Sequence, residues 1–541
     1  MNRQNIANLI KRGHVEEAQS KLLLLEESGI IDAGLYCSIA MLMQKKCKTH
    51  EALDYFAKVL EIEPKHTIAL ANTGQLHSGL GKKTLAEKYL KRAWESAPDH
   101  SMVSASYAGV LLSLRKYDQS INCYKDALKF NSGNIQAFSG MLLALNYTEQ
   151  DHQEVFKQHA YFSKAVNEKI KTLPLYGHEK LRIAYISGDF RRHSVPFFIE
   201  GFLHFHNRQK YEVYCYSDGD REDLITERFK KLSDHWREIS TISDEDVLIQ
   251  IQKDEIDILI DLGAHTGRRL PVFAKRAAPI QISYCGYPNT TGLKNMDYRI
   301  VDELTDPDGE EFYTEKLLRL KRCFLAFNPP DDAPEVGSLP YLTNGYVTFG
   351  SFNNFTKINN KVLRVWRQLL KSVPKSRLLL KSKHFNDKEL KNEVKAFFTS
   401  RGIAEERINI HGFELKLKNH LDFYNRVDIA LDSFPYNGTT TTCEALYMGV
   451  PVITVRGVCH VARVGVSLLS SMGLSSFVAA DLAEYRVIAS DLAKNVKLMK
   501  SLRANMRGLM FNSSLCDSLS LVRDIENQFQ TVIDNISQPL L

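Results

Sequence analysis

The first third of the chain repeats a helical pattern of small and apolar positions every 34 residues. Two positions recur in register, one small and one large: Ala18, Ala52, Ala86 and Ser120, and Leu22, Phe56, Leu90 and Tyr124. Pro64 and Pro98 end two of the repeats, since proline cannot continue a helix. This period is typical of tetratricopeptide repeats, so we predict about four helix pairs over residues 1–132 and a further pair between Asn134 and Lys169.

From about residue 171 the pattern changes to short apolar runs that alternate with helical stretches. The runs lie at residues 181–186, 211–216, 256–261, 281–284, 346–350, 377–381, 408–410, 427–431 and 450–454. Alternating strands and helices predict parallel sheets covered on both faces, and a proline-rich break at residues 328–334 divides them into two lobes. We therefore predict three domains, a helical solenoid at 1–170 and α/β lobes at 171–335 and 336–541, the last ending in helices.

Composition narrows the class of protein. A chain of 541 residues is too long for one core, and a net charge of +6 without long basic blocks does not indicate nucleic-acid binding. Nine cysteines are spread singly without a C-x-x-C pair, which favours neither a disulfide framework nor a zinc site and suits a reducing cytosol. Without a signal-peptide core or a run of about 18 apolar residues, we expect a cytoplasmic protein with no membrane partner.

The loop after the apolar run at 427–431 is the most informative one in the second lobe. It contains Asp432, Pro435 and Gly438, and four threonines at 439–442 then lead into a helical pattern from Cys443. A helix start presents free N–H groups and partial positive charge, which suits a phosphate, and Glu444 one turn later is placed for a ribose hydroxyl. An ordinary loop with a threonine-rich helix cap explains the same residues.

Other polar residues follow strands of the second lobe. Lys357 can reach a diphosphate as a point charge, although a lone lysine is usually solvated. His411 and His420 are placed to hold a flat base, and Arg463 adds positive charge near the threonines. Because no paired-carboxylate metal motif stands out, we expect Lys357, hydroxyls and helix dipoles, rather than a metal or another cofactor, to meet phosphate charge.

Three loops of the first lobe also follow strands. His193 lies in the first and can act as a base or bind a phosphate or sugar hydroxyl, although a lone histidine is more often structural. Asp261 and His265 lie in the second, and residues 286–292 form a small-residue loop that lets a ligand approach the backbone. Ligands of such sheets sit at the carboxyl ends of the strands, so we expect one site in the cleft between the lobes.

In their order along the chain, these loops resemble the family of nucleocytoplasmic protein O-GlcNAc transferases. The matching pieces are Asp189-Phe190 with His193, Ala278-Pro279-Ile280-Gln281, Gly286-Tyr287-Pro288, Met296-Asp297-Tyr298, Tyr313-Thr314-Glu315-Lys316-Leu317, Phe352-Asn353 with Lys357, Asn437-Gly438 with Thr440-Thr441, and Gly449-Val450-Pro451. The resemblance covers nearly the whole chain. It implies an α-solenoid of tetratricopeptide repeats followed by an α/β GT-B fold of two doubly wound catalytic lobes.

The resemblance also implies the reaction, which is inverting transfer of GlcNAc from UDP-GlcNAc to Ser or Thr hydroxyls of an acceptor protein bound along the solenoid. The implied catalytic residues are His193, Lys357, His265 and Asp261. The implied nucleotide-sugar residues are Asn354, Lys357, His420, Asn437, Gly438, Thr439, Thr440, Thr441, Glu444 and Arg463. The implied acceptor-side loop carries Tyr287, Pro288 and Thr290.

Within this scheme Lys357 contacts the donor diphosphate and assists its departure, His420 packs on the nucleobase, and Glu444 binds the ribose. Thr440 and Thr441 hold phosphate. His193 faces the sugar and the acceptor, and the other first-lobe residues line the acceptor side.

Some positions depart from the animal members of the family. Thr439 stands where they carry a histidine, Leu417 where they carry a lysine, and Asn289 where they carry a glycine. The loops look closer to the plant SPINDLY branch, which transfers fucose from GDP-fucose, and to bacterial members. GDP-fucose is therefore the alternative donor, a non-catalytic nucleotide-sugar sensor and an Asn acceptor are further alternatives, and the short solenoid suggests a bacterial-type member with one dedicated acceptor.

Overall fold

The computed structural model describes residues 3–28, 31–309 and 312–537. The first two residues of the predicted solenoid and the last four of the predicted C-terminal lobe lie outside them. The chain forms two compact units, Met1–Met141 with Lys383–Val394, and Leu142–Ser382 with Lys395–Leu541. Each unit is described by itself below.

The first unit consists of helix pairs, as the repeat predicts. Its helices are α1 (Arg3–Lys11), α2 (Val15–Glu27), α3 (Ala33–Lys45), α4 (Thr49–Ile62), α5 (Thr67–Gly79), α6 (Lys83–Ser96), α7 (Ser101–Ser113) and α8 (Tyr117–Phe130), and α9 (Ile135–Leu145) begins in this unit. The small residues of the repeat, Ala18, Ala52, Ala86 and Ser120, are fully buried. A Cβ on Gly74 would lie 2.6 Å from Cγ of Leu90, so α5 and α6 approach closely where the repeat has a small residue.

The second unit begins with the end of α9 and with α10 (His152–Ala165), which form the predicted fifth helix pair. Its first lobe contains β1 (Leu181–Ser187), α11 (Pro196–Phe205), β2 (Tyr211–Ser217), α12 (Leu224–Leu232), β3 (His235–Glu238), α13 (Asp244–Lys253), β4 (Ile258–Asp261), α14 (Leu270–Ala274), β5 (Ile280–Ser283), β6 (Tyr298–Asp302) and β7 (Lys316–Leu320). The strands are parallel in the order β3-β2-β1-β4-β5-β6-β7.

The second lobe repeats this arrangement. It contains α15 (Tyr341–Asn344), β8 (Thr348–Ser351), α16 (Asn360–Ser372), β9 (Arg377–Lys381), α17 (Lys388–Thr399), β10 (Ile408–His411), α18 (Leu417–Asp422), β11 (Ile429–Leu431), α19 (Thr440–Tyr447), β12 (Val452–Val455), α20 (Val464–Ser470), β13 (Val478–Ala479), α21 (Leu482–Lys494), α22 (Val496–Phe511) and α23 (Ser518–Ser537). The strands are parallel in the order β10-β9-β8-β11-β12-β13. The predicted fold class is therefore confirmed.

The sequence pattern missed β3, β6, β7 and β13. β3 and β7 carry charged side chains that interrupt an apolar run, and β6 contains the buried Arg299. β13 has only two residues. The pattern detects strands whose apolar residues form a run or alternate with polar ones, including the edge strand β10.

The last helix returns to the first lobe. α23 packs against α11 and β7, and Glu526 on α23 accepts a hydrogen bond from Nδ1 of the buried His206 at 2.8 Å. The predicted C-terminal lobe therefore ends in a helix that is part of the packing of the other lobe.

Candidate active site

The strand order reverses at one place in each sheet, and the loops that carry His193, Asp261, Lys357 and the threonines follow the strands at that place. In the second lobe β8 and β11 are adjacent, with Gly350 paired to Ala430. In the first lobe β1 and β4 are adjacent, with Ile186 paired to Asp261. A gap opens between the loops at such a switch point, and this is where doubly wound sheets bind ligands.

Asp432 organises the loop that follows β11. Its buried carboxylate accepts hydrogen bonds from the backbone N–H of Gly438 (2.7 Å) and Ser433 (2.8 Å) and from the hydroxyl of Thr454 (2.8 Å). Nδ2 of Asn353, at the end of β8, donates to the same carboxylate at 3.1 Å. Burial raises the pKa of Asp432 against the effect of these donors. The carboxylate therefore fixes the loop that leads into α19.

The start of α19 is packed tightly around Gly438. A Cβ on Gly438 would lie 2.6 Å from Oδ1 of Asn353 and 2.8 Å from Oγ1 of Thr441, so no larger residue fits. The helix begins at Thr440, before the predicted start at Cys443, with Thr439 preceding it. The N–H of Thr442 donates to the carbonyl oxygen of Thr439 at 3.1 Å, so within the first turn the N–H groups of Thr440 and Thr441 are the ones placed to meet an anion.

Lys357 reaches this loop from the end of β8. Its Nζ donates to the carbonyl oxygen of Asn437 at 2.8 Å and lies 4.0 Å from the centre of the Tyr436 ring. Burial lowers the pKa of Lys357 to about 8, and Asp432 partly opposes that shift. The structure therefore brings a partly desolvated ammonium group to the loop before α19, as the nucleotide-sugar interpretation requires.

The turn that carries Lys357 is held at its start by two hydrogen bonds. The exposed Asn354 accepts a hydrogen bond from the backbone N–H of Thr356 at 3.1 Å and so caps the 3-10 turn Phe355–Lys357. Oγ of Ser382, just after β9, accepts from the N–H of Phe355 at 3.2 Å. In this structure the side chain of Asn354 therefore contributes to the position of Lys357.

His420 and Glu444 are hydrogen-bonded to each other. Nε2 of His420 lies 2.9 Å from Oε2 of Glu444, and the hydroxyl of Tyr424 donates to the same oxygen at 3.1 Å. Nζ of Lys381, the last residue of β9, lies 2.5 Å from Nδ1 of His420. His420 is in the second half of α18 rather than at its start. The predicted base-side and ribose-side residues thus form one cluster.

Asn437 and Arg463 hold loops of the second lobe in place through hydrogen bonds. Asn437 is buried, donates from Nδ2 to the carbonyl oxygen of Ser433 (3.0 Å) and accepts from the N–H of Gly465 (3.2 Å). Nε of Arg463 donates to the carbonyl oxygen of Leu304 in the first lobe at 2.8 Å. Arg463 therefore links the loop after β12 to the other lobe.

His193 is exposed at the end of β1. Its Nδ1 lies 3.4 Å from Oδ2 of Asp189, close enough for the carboxylate to stabilise an imidazolium ion. Partial desolvation lowers the pKa of His193, Arg191 adds to this shift, and Asp189 opposes it. A largely neutral imidazole that is open to solvent can accept a proton from an approaching hydroxyl group.

Asp261 and His265 are buried; Asp261 is hydrogen-bonded within its own loop, and His265 to the loop at residues 286–292. The carboxylate of Asp261 accepts from the N–H groups of Gly263 (2.9 Å) and Ala264 (3.1 Å), and burial raises its pKa to about 6. Nε2 of His265 is 2.9 Å from the carbonyl oxygen of Thr291, and burial holds the pKa of His265 well below its ordinary value. These contacts shape the rim of the first lobe, and the structure does not place either side chain beside His193.

The loop predicted to lie on the acceptor side, residues 286–292, is joined to α9 and α10 by Tyr287. The buried tyrosine hydroxyl lies 2.9 Å from Nδ2 of Asn146 and 2.7 Å from Nε2 of His159. Oγ1 of Thr290 donates to Oε2 of Glu315 at 2.6 Å. Pro288 lines a cavity of about 340 Å³.

A neighbouring cavity of about 400 Å³ lies beside the donor loop. Its lining includes Phe434 and Pro435, the α9–α10 connection and residues 455–462. The two cavities share His152, Val155, Asn289, Val458 and Cys459, so they form one depression between the lobes. It is large enough for several side chains of an extended peptide.

Sequence reasoning missed Tyr436 and Lys381 as site residues. Tyr436 covers Lys357 on one face and stacks on Tyr147 with ring centres 4.9 Å apart. Lys381 is the last residue of β9 and lies at the same sheet edge as the other site residues. Because ligands bind at the carboxyl ends of parallel strands, its position in the sequence could have indicated a site residue. The stacking of Tyr436 on Tyr147 joins residues far apart in sequence, so the pattern of apolar and polar residues could not predict it.

Two further features concern residues 3–28, 31–309 and 312–537. No group of three or more His, Cys, Asp or Glu side chains in these ranges could hold a metal ion. No helix in the same ranges is long and apolar enough to cross a membrane.

The chain is similar to plant proteins described as probable UDP-N-acetylglucosamine–peptide N-acetylglucosaminyltransferase SPINDLY. The rice protein is 38% identical over 430 residues, which cover 76% of this chain and 46% of the relative. The Arabidopsis thaliana protein is 42% identical over 358 residues, which cover 65% of this chain and 39% of the relative. The chain spans about half the length of the curated relatives it matches, or less.

A solved structure supports the same relationship. A point mutant of the Thermobaculum terrenum O-GlcNAc transferase superposes with a TM-score of 0.86 at 32% identity, covering 93% of this chain and 97% of that one. A tetratricopeptide-repeat model matches residues 69–100, and the model of glycosyl transferase family 41 matches residues 153–328 and 338–525, more than half of the chain. The chain therefore belongs to glycosyl transferase family 41.

Proposed function

We propose that the protein is an inverting glycosyltransferase that moves GlcNAc from UDP-GlcNAc to Ser or Thr hydroxyls of an acceptor protein. The observation that carries the proposal is the position of the Lys357 ammonium group, 2.8 Å from the carbonyl oxygen of Asn437 in the loop that leads into α19. A half-buried cation beside a helix N-terminus is suited to a diphosphate leaving group, whose charge grows as the bond from the anomeric carbon to the diphosphate breaks.

In this mechanism the acceptor hydroxyl attacks the anomeric carbon from the face opposite the diphosphate. The bond from that carbon to the diphosphate oxygen breaks, and its electron pair leaves with the diphosphate, which Lys357 and the first turn of α19 stabilise. The hydroxyl proton passes to a base, and the exposed His193 beside Asp189 is the candidate. His420 and Glu444 hold base and ribose, with Thr440 and Thr441 at the phosphates.

The proposal assigns a role to each of the three predicted domains. Residues 1–170 present the acceptor protein along the solenoid, residues 171–335 supply the acceptor side, and residues 336–541 bind the donor. Tyr287, Pro288 and Thr290 lie on the acceptor side, and the depression between the lobes takes the acceptor segment. The scheme needs no metal or other cofactor, and nine cysteines without a disulfide suit a cytoplasmic protein.

The donor is tested by incubating the purified chain with labelled UDP-GlcNAc, UDP-glucose and GDP-fucose and with candidate acceptor proteins. We expect transfer from UDP-GlcNAc by the wild type and by the control Lys371→Met, an exposed lysine on α16, and little transfer by Lys357→Met. Preferential use of GDP-fucose would overturn the GlcNAc assignment. Tight nucleotide binding with neither hydrolysis nor transfer would favour a sensor over an enzyme.

The product tests the remaining parts of the proposal. Mass spectrometry of the modified acceptor peptide should locate the sugar on Ser or Thr, and a sugar on Asn would contradict that part. Proton NMR of the glycopeptide should show the anomeric configuration opposite to that of the donor.

A further inference from the structure

The end of β9 places a cation against the base-side cluster. Lys381 is 4% exposed, and its Nζ lies 2.5 Å from Nδ1 of His420 and 5.3 Å from the centre of the Phe423 ring. Burial lowers the pKa of Lys381 to about 8, while Glu444 opposes that shift. The lysine is therefore largely charged at neutral pH although it is removed from bulk water.

The hydrogen-bonding capacity of each group determines where the protons lie. A lysine ammonium group has only donors, so Nδ1 of His420 must accept the hydrogen bond from Lys381. The imidazole proton is then on Nε2, which donates to Oε2 of Glu444 at 2.9 Å.

We propose that Lys381 is a positioning residue of the donor site, which holds the His420 ring so that it accepts at Nδ1 and donates from Nε2 to Glu444. The proposal rests on the proposed function, because it assigns His420 and Glu444 to the base and ribose of the donor. Lys381 fixes the plane of the ring by bonding one edge while Glu444 bonds the other. The ring face is thereby oriented before the nucleotide arrives, which reduces the entropy cost of binding.

The same strand end also supports the phosphate side. Ser382 follows Lys381 and accepts through Oγ from the N–H of Phe355, at the start of the turn that carries Lys357. Two consecutive residues after one strand thus hold the base-side and phosphate-side groups of the site. A change at Lys381 that leaves Ser382 in place should therefore affect the base side alone.

The test is a double-mutant cycle on the full chain. Calorimetry measures the Kd of UDP and of GDP for the wild type, Lys381→Met, His420→Ala and the double variant, with Lys371→Met as the matched control. We expect Lys381→Met to raise Kd by about tenfold in the wild-type background and by less than about twofold in the His420→Ala background. The effects of two substitutions are not additive when one residue acts through the other. Lys381→Arg retains a donor and should recover most of the loss.

A loss of similar size in both backgrounds would overturn the proposal, as would no loss in the wild-type background. If the wild type binds neither nucleotide, the proposed function fails, and the proton arrangement remains testable on the wild type. NMR spectra of the chain with ¹⁵N-labelled histidine, in which the His420 signals are assigned by their loss in His420→Gln, should show a proton on Nε2 and none on Nδ1. The opposite tautomer would overturn the proposal whether or not a variant folds.

Discussion

Nζ of Lys357 lies 4.0 Å from the centre of the Tyr436 ring, so the ring face covers the ammonium group. The other face of the tyrosine stacks on Tyr147, which keeps the ring in place. A ring face attracts a cation but replaces part of its water, and burial lowers the pKa of Lys357 to about 8. The group proposed to meet the diphosphate therefore loses its charge close to physiological pH.

The first prediction concerns the pH profile of the reaction. Only the protonated Lys357 stabilises the leaving group, and its pKa lies at about 8, below the usual lysine value, so kcat/KM should fall as pH rises through about 8. Lys357→Arg remains charged and should show a smaller fall, which is the part that Lys381, with a pKa also lowered to about 8, contributes. Lys357→Met should lower kcat by about 10²- to 10³-fold. Initial rates between about pH 6.5 and 9.5 measure all three, and the same fall in the arginine variant would contradict the assignment.

The second prediction concerns Tyr436. Removal of the ring by Tyr436→Ala admits water to Lys357, which should move the alkaline fall in kcat/KM upward by about one pH unit. Tyr436→Phe keeps the ring face and should leave the midpoint unchanged. If both variants shift it equally, the tyrosine hydroxyl rather than the ring controls the ammonium group.

The sequence was sufficient to predict the repeats and the central strands, for a physical reason. Stacked helix pairs need small residues such as Ala18 and Ala52 at fixed places, and central parallel strands are buried on both faces, so apolar residues dominate them. The sequence pattern missed β6 because it contains the buried Arg299. The guanidinium of Arg299 donates to the carbonyl oxygens of Tyr287 (2.7 Å) and Asn289 (2.8 Å). The sequence alone does not distinguish a buried arginine that is hydrogen-bonded from an arginine on the surface.

For the site, the sequence predicted which residues lie at the strand ends but not their partners. The structure brings Lys357, the threonines, His420 and Glu444 to one lobe edge. It turns the Asp261 carboxylate toward the N–H groups of its own loop instead. That orientation depends on the dihedral angles of the turn, which residue types alone do not specify, and the bond from Lys381 to His420 joins residues far apart in sequence.

The third prediction concerns the space at Gly438. In Gly438→Ala the new Cβ meets Oδ1 of Asn353 at 2.6 Å and Oγ1 of Thr441 at 2.8 Å, so the start of α19 must shift. Overpacking of this kind costs about 1–3 kcal/mol, and the shift moves the phosphate-side N–H groups. We expect nucleotide affinity to fall by at least about tenfold in calorimetry.

Gly508→Ala on α22 is the matched control, because its Cβ meets no atom within 4 Å. Alanine is favoured over glycine inside a helix, so this variant should be as stable as the wild type or slightly more so, with unchanged nucleotide affinity. Normal affinity in Gly438→Ala would show that the ligand does not depend on the start of α19.

The fourth prediction concerns Asp387 in the repeat unit. Its carboxylate accepts from the N–H and the hydroxyl of Thr84 at the start of α6 (2.7 and 2.8 Å) and from the N–H groups of Glu389 (3.0 Å) and Leu390 (3.2 Å) at the start of α17. One buried carboxylate thus caps two helices. Because each cap contributes about 1 kcal/mol, Asp387→Ala should lower the local free energy of unfolding by about 2 kcal/mol.

Hydrogen exchange read by mass spectrometry measures this loss, because local opening determines the exchange of helix amides. Exchange in the first turns of α6 and α17 should accelerate by about 30-fold, while that of α19 should not change. Glu389→Gln is the control, since it removes only the exposed ion pair with Lys88 (3.3 Å) and should change exchange by less than about fivefold. Equal acceleration in the two variants would mean that surface charge, not the double cap, holds the segment Lys383–Val394 in the repeat unit.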